Sequence, residues 1–194
     1  MSASLGEPLT IGVSDHGGWA ALVTVARNGR LVGRHRVELV DAGLPKIPYH
    51  CEAQQLPMEE AVALVERVRL SAERQSRLVL ESVARMEPGR IVGIALRACP
   101  ELPSSITERI EGYRSRNVAD WVMYRKALAA AAEERGWAVC WYEAKHVLAE
   151  AAEAMQIQDF EAHFQLLKKS CGPPWGKDQK VAMAAAIAMA SRMS

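Results

Sequence analysis

Residues 9–18 read LTIGVSDHGG, and residues 19–40 continue as WAALVTVARNGRLVGRHRVELV. These two stretches decide the fold. Residues 9–14 form a β-rich run that stops at Asp15-His16-Gly17-Gly18. Residues 19–26 are a second run, and Asn28-Gly29 follows it, the strongest short-range hairpin signal between two such runs. Over residues 31–40 the pattern alternates. Leu31, His35, Val37 and Leu39 fall on one side, and Arg34, Arg36 and Glu38 on the other. The chain is expected to open with three antiparallel strands.

Downstream the period changes. A loop rich in Pro and Gly spans residues 41–56. Pro57 suits the first turn of a helix, with Glu59 and Glu60 favourable at its positive end. Val65, Val68, Ala72, Val79, Val83 and Met86 keep close to helical spacing up to Pro88-Gly89. Residues 91–96, IVGIAL, are apolar on both faces, as in a strand covered on both sides. Ser105 with Glu108 predicts a capped short helix, and Asn117 with Asp120 the cap of another that runs to Arg135. Residues 137–142, WAVCWY, read as a fifth strand. Helices follow from about Lys145, from Phe160 capped by Asp159, and over residues 176–193. The order β-β-β-α-β-α-β-α predicts one α/β domain over residues 1–194, a five-stranded mixed sheet with helices on both faces.

Bulk properties narrow the function classes. Lys and Arg number 24 and Asp and Glu 23, a net charge of +1, so no global field points to nucleic acid or membrane. Cys51, Cys99, Cys140 and Cys171 show neither C-x-x-C nor zinc-ligand spacing, which predicts reduced thiols and a cytoplasmic protein. The longest apolar run, residues 181–190, is too short to span a bilayer.

The strand order is that of the ribonuclease H-like fold, and IGVSDHGG resembles the I-G-[I/V]-D-x-G opening of the RuvC-type Holliday-junction resolvases. Residues 141–145, WYEAK, resemble the end of their fifth strand and the start of the next helix. Residues 178–184, DQKVAMA, resemble their D-x-x-D-A-x-A helix. The resemblance implies a divalent-metal-dependent nuclease acting on branched or hybrid nucleic acid, with magnesium or manganese held between carboxylates. It assigns Asp15 and Asp178 as metal ligands and, with Glu101, as catalytic residues. Val181 stands where the second acid of the helix motif belongs, and residues 91–96 carry no acid, Glu101 being the nearest. The alternative is a catalytically inactive ribonuclease H-like module that binds nucleic acid or a protein partner. An oligomer is compatible with either reading. The actin and sugar-kinase superfamily shares a Gly-rich first turn but needs two lobes and a second Gly-rich phosphate motif.

Each candidate also has a plain structural reading. Asp15-His16-Gly17-Gly18 makes an ordinary turn as readily as a metal site. Alternation nonetheless puts Asp15 on the row of Leu9, Ile11 and Val13, where an acid needs a partner. Asp178 suits the positive end of a helix without any ligand role. Lys168, Lys169, Lys177 and Lys180 surround Pro173-Pro174-Trp175, a set that grips nucleic acid if the aromatic is exposed and is otherwise a solvated helix end. Arg109, Arg114, Arg116 and Arg125 form a second basic group with the same two readings.

Overall fold

The structure is a computed structural model and describes residues 6–193; the outermost residues of the 1–194 domain span lie outside it. Five strands form one sheet: β1 (Pro8–His16), β2 (Trp19–Ala26), β3 (Leu31–Glu38), β4 (Arg90–Arg97) and β5 (Ala138–Tyr142). Their order is β3-β2-β1-β4-β5. β1, β2 and β3 are antiparallel neighbours, and β4 and β5 run parallel to β1. The Asn28-Gly29 turn closes the hairpin of β2 and β3. Gly29 has φ 79°, its amide donates to the Ala26 carbonyl, and the Ala26 amide donates to the Arg30 carbonyl. The residue 9–14 run is the middle strand, as its double-sided burial requires.

Among the described residues the sheet is flanked by six α-helices: α1 (Met58–Met86), α2 (Ile106–Glu111), α3 (Tyr113–Glu134), α4 (Val147–Ala154), α5 (Phe160–Cys171) and α6 (Lys177–Arg192). One core joins Leu9, Ile11, Val13, Ile94 and Leu96 to α1 and α3. A second joins Val23, Val25, Ala95 and Tyr142 to α4, α5 and α6. β1 alternates between the two layers. Leu9, Ile11, Val13 and Asp15 face the first, and Thr10, Gly12 and Ser14 the second.

α6 lies directly on the second face. A Cβ at Gly12 would overlap the Ala182 carbonyl and the Ala186 amide, so only glycine admits the helix there. Beside it the Thr10 hydroxyl donates to the Ala186 carbonyl at 3.0 Å. The alanine-rich stripe of α6 is the small-residue surface that this spacing demands.

Two expectations are corrected. Residues 31–40 do not alternate without interruption. Thr24 pairs with Gly33 and Val25 with Leu31, a bulge that turns Leu31 toward the α6 layer while Val37 stays with the α1 layer. The helix expected to start at Asn117 starts at Tyr113, because α2 passes into it across Gly112 alone and the Ser115 hydroxyl donates back to the Gly112 carbonyl at 2.9 Å. Asp120 is therefore no cap of its own helix. It is fully buried and accepts the Tyr49 and His50 amides at 3.1 and 3.0 Å, tying the 41–56 loop to α3. The Ser105 and Asp159 caps form as the sequence suggests. His35 is a satisfied partner of Glu87 at 2.8 Å; burial pushes the Glu87 carboxyl up, but the His35 contact helps to outweigh that and hold it below its usual range.

This packing can be tested at two residues. Gly12→Val should destabilise the fold by about 3 kcal/mol, since neither backbone partner can move without displacing α6; urea denaturation measures it. Burial pushes the Asp120 carboxyl up to about 7, above its ordinary value of 3.8. A raised folded-state pKa means stability contributed below the unfolded value and lost as pH rises through the folded one. Relative to Asp120→Asn, the wild type should therefore lose urea resistance between pH 4 and 7; a constant difference across that window contradicts the assignment.

Candidate nucleic-acid interface at the carboxyl end of the sheet

The acid at the first strand's exit does not face α6. Asp15 is turned into the α1 and α3 layer, where its Oδ2 accepts the Arg125 Nε–H at 2.8 Å. Both side chains are withdrawn from water, 1% and 7% exposed. Arg125 comes from α3 and also donates to the Ala98 carbonyl at 3.1 Å. The second carboxylate oxygen, Oδ1, is buried without a partner. This pair is the partner that an acid on an apolar row requires. The Cys99 thiol lies in the same cluster; burial pushes its pKa up, against the pull of Arg125.

Asp178 stands on the opposite face. From the first turn of α6 its Oδ1 accepts the Ser14 hydroxyl at 3.1 Å and meets the His16 Nε2 at 2.8 Å. The His16 ring stacks on Trp19 with centroids 4.1 Å apart, and the Arg36 guanidinium covers Trp19 at 3.8 Å. Asp15 and Asp178 are thus separated by β1 itself. Ser14 and Asp15 are consecutive, and a one-residue step along a strand changes the face.

β4 completes the arrangement. Gly12 pairs with Ala95 and both face α6, so two residues on, Arg97 shares that face with Ser14. Arg97 pairs across to Tyr142 of β5, whose hydroxyl donates to the Val13 carbonyl at 2.7 Å. Burial pushes the Tyr142 hydroxyl pKa up, while the Arg97 guanidinium beside it pulls it down. The α6-facing end of the parallel strands is therefore built from Ser14, Arg97 and Tyr142.

Glu101 lies on the exposed loop after β4, lining a groove with Pro103 and Tyr113. The structure does not bring Asp15, Asp178 and Glu101 together, and among the described residues no group of three or more His, Cys, Asp or Glu could hold a metal ion. A pair of hard cations needs several carboxylate oxygens. The α6-facing site offers one carboxylate, a hydroxyl, an imidazole and a guanidinium, so these residues do not fit magnesium or manganese.

The basic residues separate as well. Lys168, Lys169 and Lys177 lie at the surface, while Lys180 is paired with Glu161. Trp175 is not exposed, so the condition for gripping nucleic acid through it is not met. It is buried edge-on against Phe164 at 5.0 Å, with Arg34 over its ring at 4.8 Å. Arg34 also donates to the carbonyls of Cys171, Gly172 and Pro174, clamping the segment before α6 to β3. Of the second basic group, Arg109 donates to the Pro103 and Ser104 carbonyls, Arg116 binds Gln54 and Arg125 holds Asp15, while Arg114 is exposed. Sequence reasoning missed Ser14, Arg97 and the pairing roles of His16 and Arg125. The signal for Ser14 was present, since it directly follows I-G-V where the resembled motif has its acid.

Asp15→Asn should cost about 3 kcal/mol in urea denaturation, because it leaves the Arg125 guanidinium buried without a counter-charge. Asp15→Leu combined with Arg125→Met should recover most of that loss. A residue kept only to bind metal would leave stability unchanged on the same substitution.

No family model matches the chain, and no curated protein matches it. Solved structures do. Thermus thermophilus RuvC in complex with Holliday junction substrate is 18% identical, the match covers 96% of each chain, and the TM-score is 0.54. A second Thermus thermophilus RuvC structure is 16% identical, with 95% of this chain and 96% of its own covered and a TM-score of 0.48. Together with the strand order, the first of these shows that the chain has the ribonuclease H-like fold.

Proposed function

We propose that the chain is a ribonuclease H-like module that binds structured nucleic acid and does not cleave it by two-metal chemistry. One observation carries this reading. The positions that face α6 at the ends of β1 and β4 hold Ser14 and Arg97, a neutral hydroxyl and a cation, where two metal ions need carboxylates. The strand-exit acid Asp15 is engaged by Arg125 on the other face. Asp178 is bonded to Ser14 and His16.

Positive charge takes the place of metal in this reading. Arg97 stands at the strand ends, Lys177 at the exposed start of α6, and Lys168 and Lys169 on the last turn of α5. Cations of this kind bind the phosphate backbone by releasing its counterions, without reading sequence. The likeness to a RuvC solved with a Holliday junction supports branched DNA as the ligand to test.

The test is fluorescence anisotropy with a four-way DNA junction in EDTA. Binding should persist without divalent ions, and log Kd should rise linearly with log salt. Lys168→Ala, Lys169→Ala and Lys177→Ala combined should flatten that line by about one unit for each phosphate that is no longer neutralised. Incubation with magnesium or manganese should give no product. Metal-dependent cleavage by the pure protein, abolished in Asp178→Asn, would reinstate the nuclease reading. Absence of binding to any nucleic acid at low salt would point to a protein partner.

A further inference from the structure

The strand order places a topological switch between β1 and β4. The chain leaves β1 to build β2 and β3 on one side, then crosses over to build β4 and β5 on the other. In open α/β sheets the connections diverge at such a point and leave a crevice outside the carboxyl ends of the strands, where ligands bind. β1 and β4 are parallel, so both carboxyl ends meet there. Their α6-facing residues at this edge are Ser14 and Arg97.

Arg97 is half-buried, and its Nε is shielded from water without any hydrogen-bond partner. The Tyr142 hydroxyl beside it directs its own proton to the Val13 carbonyl. The two acids at this end are committed elsewhere: Asp178 to Ser14 and His16, Asp15 to Arg125. A buried charged donor without a partner is unfavourable, and the planar guanidinium fork matches the oxygens of a phosphate. Lys177, exposed at the rim next to Asp178, adds positive charge.

We propose that Arg97 is a phosphate-binding residue, taking one phosphodiester of a nucleic-acid backbone at the β1–β4 switch without a metal ion. This rests on the nucleic-acid-binding reading above and deepens it. Arg97 supplies two parallel N–H donors to the phosphate; the Ser14 hydroxyl on the same face already gives its proton to Asp178.

The experiment titrates the full chain with a four-way DNA junction over a series of salt concentrations, and separately with inorganic phosphate followed by ³¹P line broadening. Wild type, Arg97→Gln and Arg97→Lys are compared, with circular dichroism melting to establish that each is folded. Arg97→Gln should weaken junction binding about tenfold and lower the salt slope by about one. Arg97→Lys should regain the slope but only part of the affinity, because a point charge replaces the fork. Inorganic phosphate should broaden with wild type and not with Arg97→Gln. If folded Arg97→Gln binds the junction with wild-type affinity and slope, the proposal is overturned while the nucleic-acid reading stands. Arg97-dependent phosphate broadening with no junction binding would keep the phosphate site, assign it to a free phosphate, and overturn the backbone assignment. No junction binding and no Arg97-dependent broadening would overturn both.

Discussion

Everything at the carboxyl end of the sheet depends on how closely α6 rests on β1. Gly12 has no side chain, and the Ala182 and Ala186 backbone occupies the space a Cβ would need. That approach fixes the helix in depth, and the Thr10 to Ala186 hydrogen bond fixes it along its axis. Once α6 is fixed, its first turn has one place to go, and Asp178 arrives against Ser14 and His16. A larger residue at position 12 would lift the helix, and the polar bonds at its start would separate with it.

The two acids of this region are held by different means, and the difference matters chemically. Asp15 sits in a dry pair with Arg125, where replacing both partners is nearly neutral but removing one leaves a stranded charge. Asp178 is a third exposed and shares its oxygen between a hydroxyl and an imidazole, a bond that water can compete for. The first is a structural rivet between the sheet and α3. The second is a looser link at the surface, between the first turn of α6 and the end of β1. Neither leaves a pair of open carboxylates at the carboxyl ends of β1 and β4.

Much of the fold was legible in the sequence, because it rests on local signals. Asn28-Gly29 marked the hairpin of β2 and β3, the β-rich run of residues 9–14 and the two-sided apolar run of residues 91–96 marked β1 and β4, and Ser105 and Asp159 marked two helix starts. The failures share a cause. Asp120 resembles a cap in sequence, yet its partners are the amides of Tyr49 and His50, 71 and 70 positions away. Trp175 resembles a surface aromatic among lysines, yet Phe164 and Arg34 enclose it. Likewise Asp15 was placed on the correct row, but which helical layer that row meets is decided by long-range packing. The site was therefore read one residue, and so one face, away from where α6 lies.

The meeting of β1 and α6 also constrains the order in which the molecule can assemble. Thr10 and Ala186 are 176 residues apart, so one whole face of the first strand waits for a partner until nearly all of the described chain has been made. Closing so long a loop must come before its interactions offset the lost entropy, which makes this step slow compared with the opening hairpins. During that interval Thr10, Gly12 and Ser14 present a smooth strip with few bulky side chains, a poor hold for accidental hydrophobic association. The small residues that admit the helix at the end of folding thus leave little apolar surface on β1 itself, while Val23 and Val25 of β2 stay uncovered until α6 arrives.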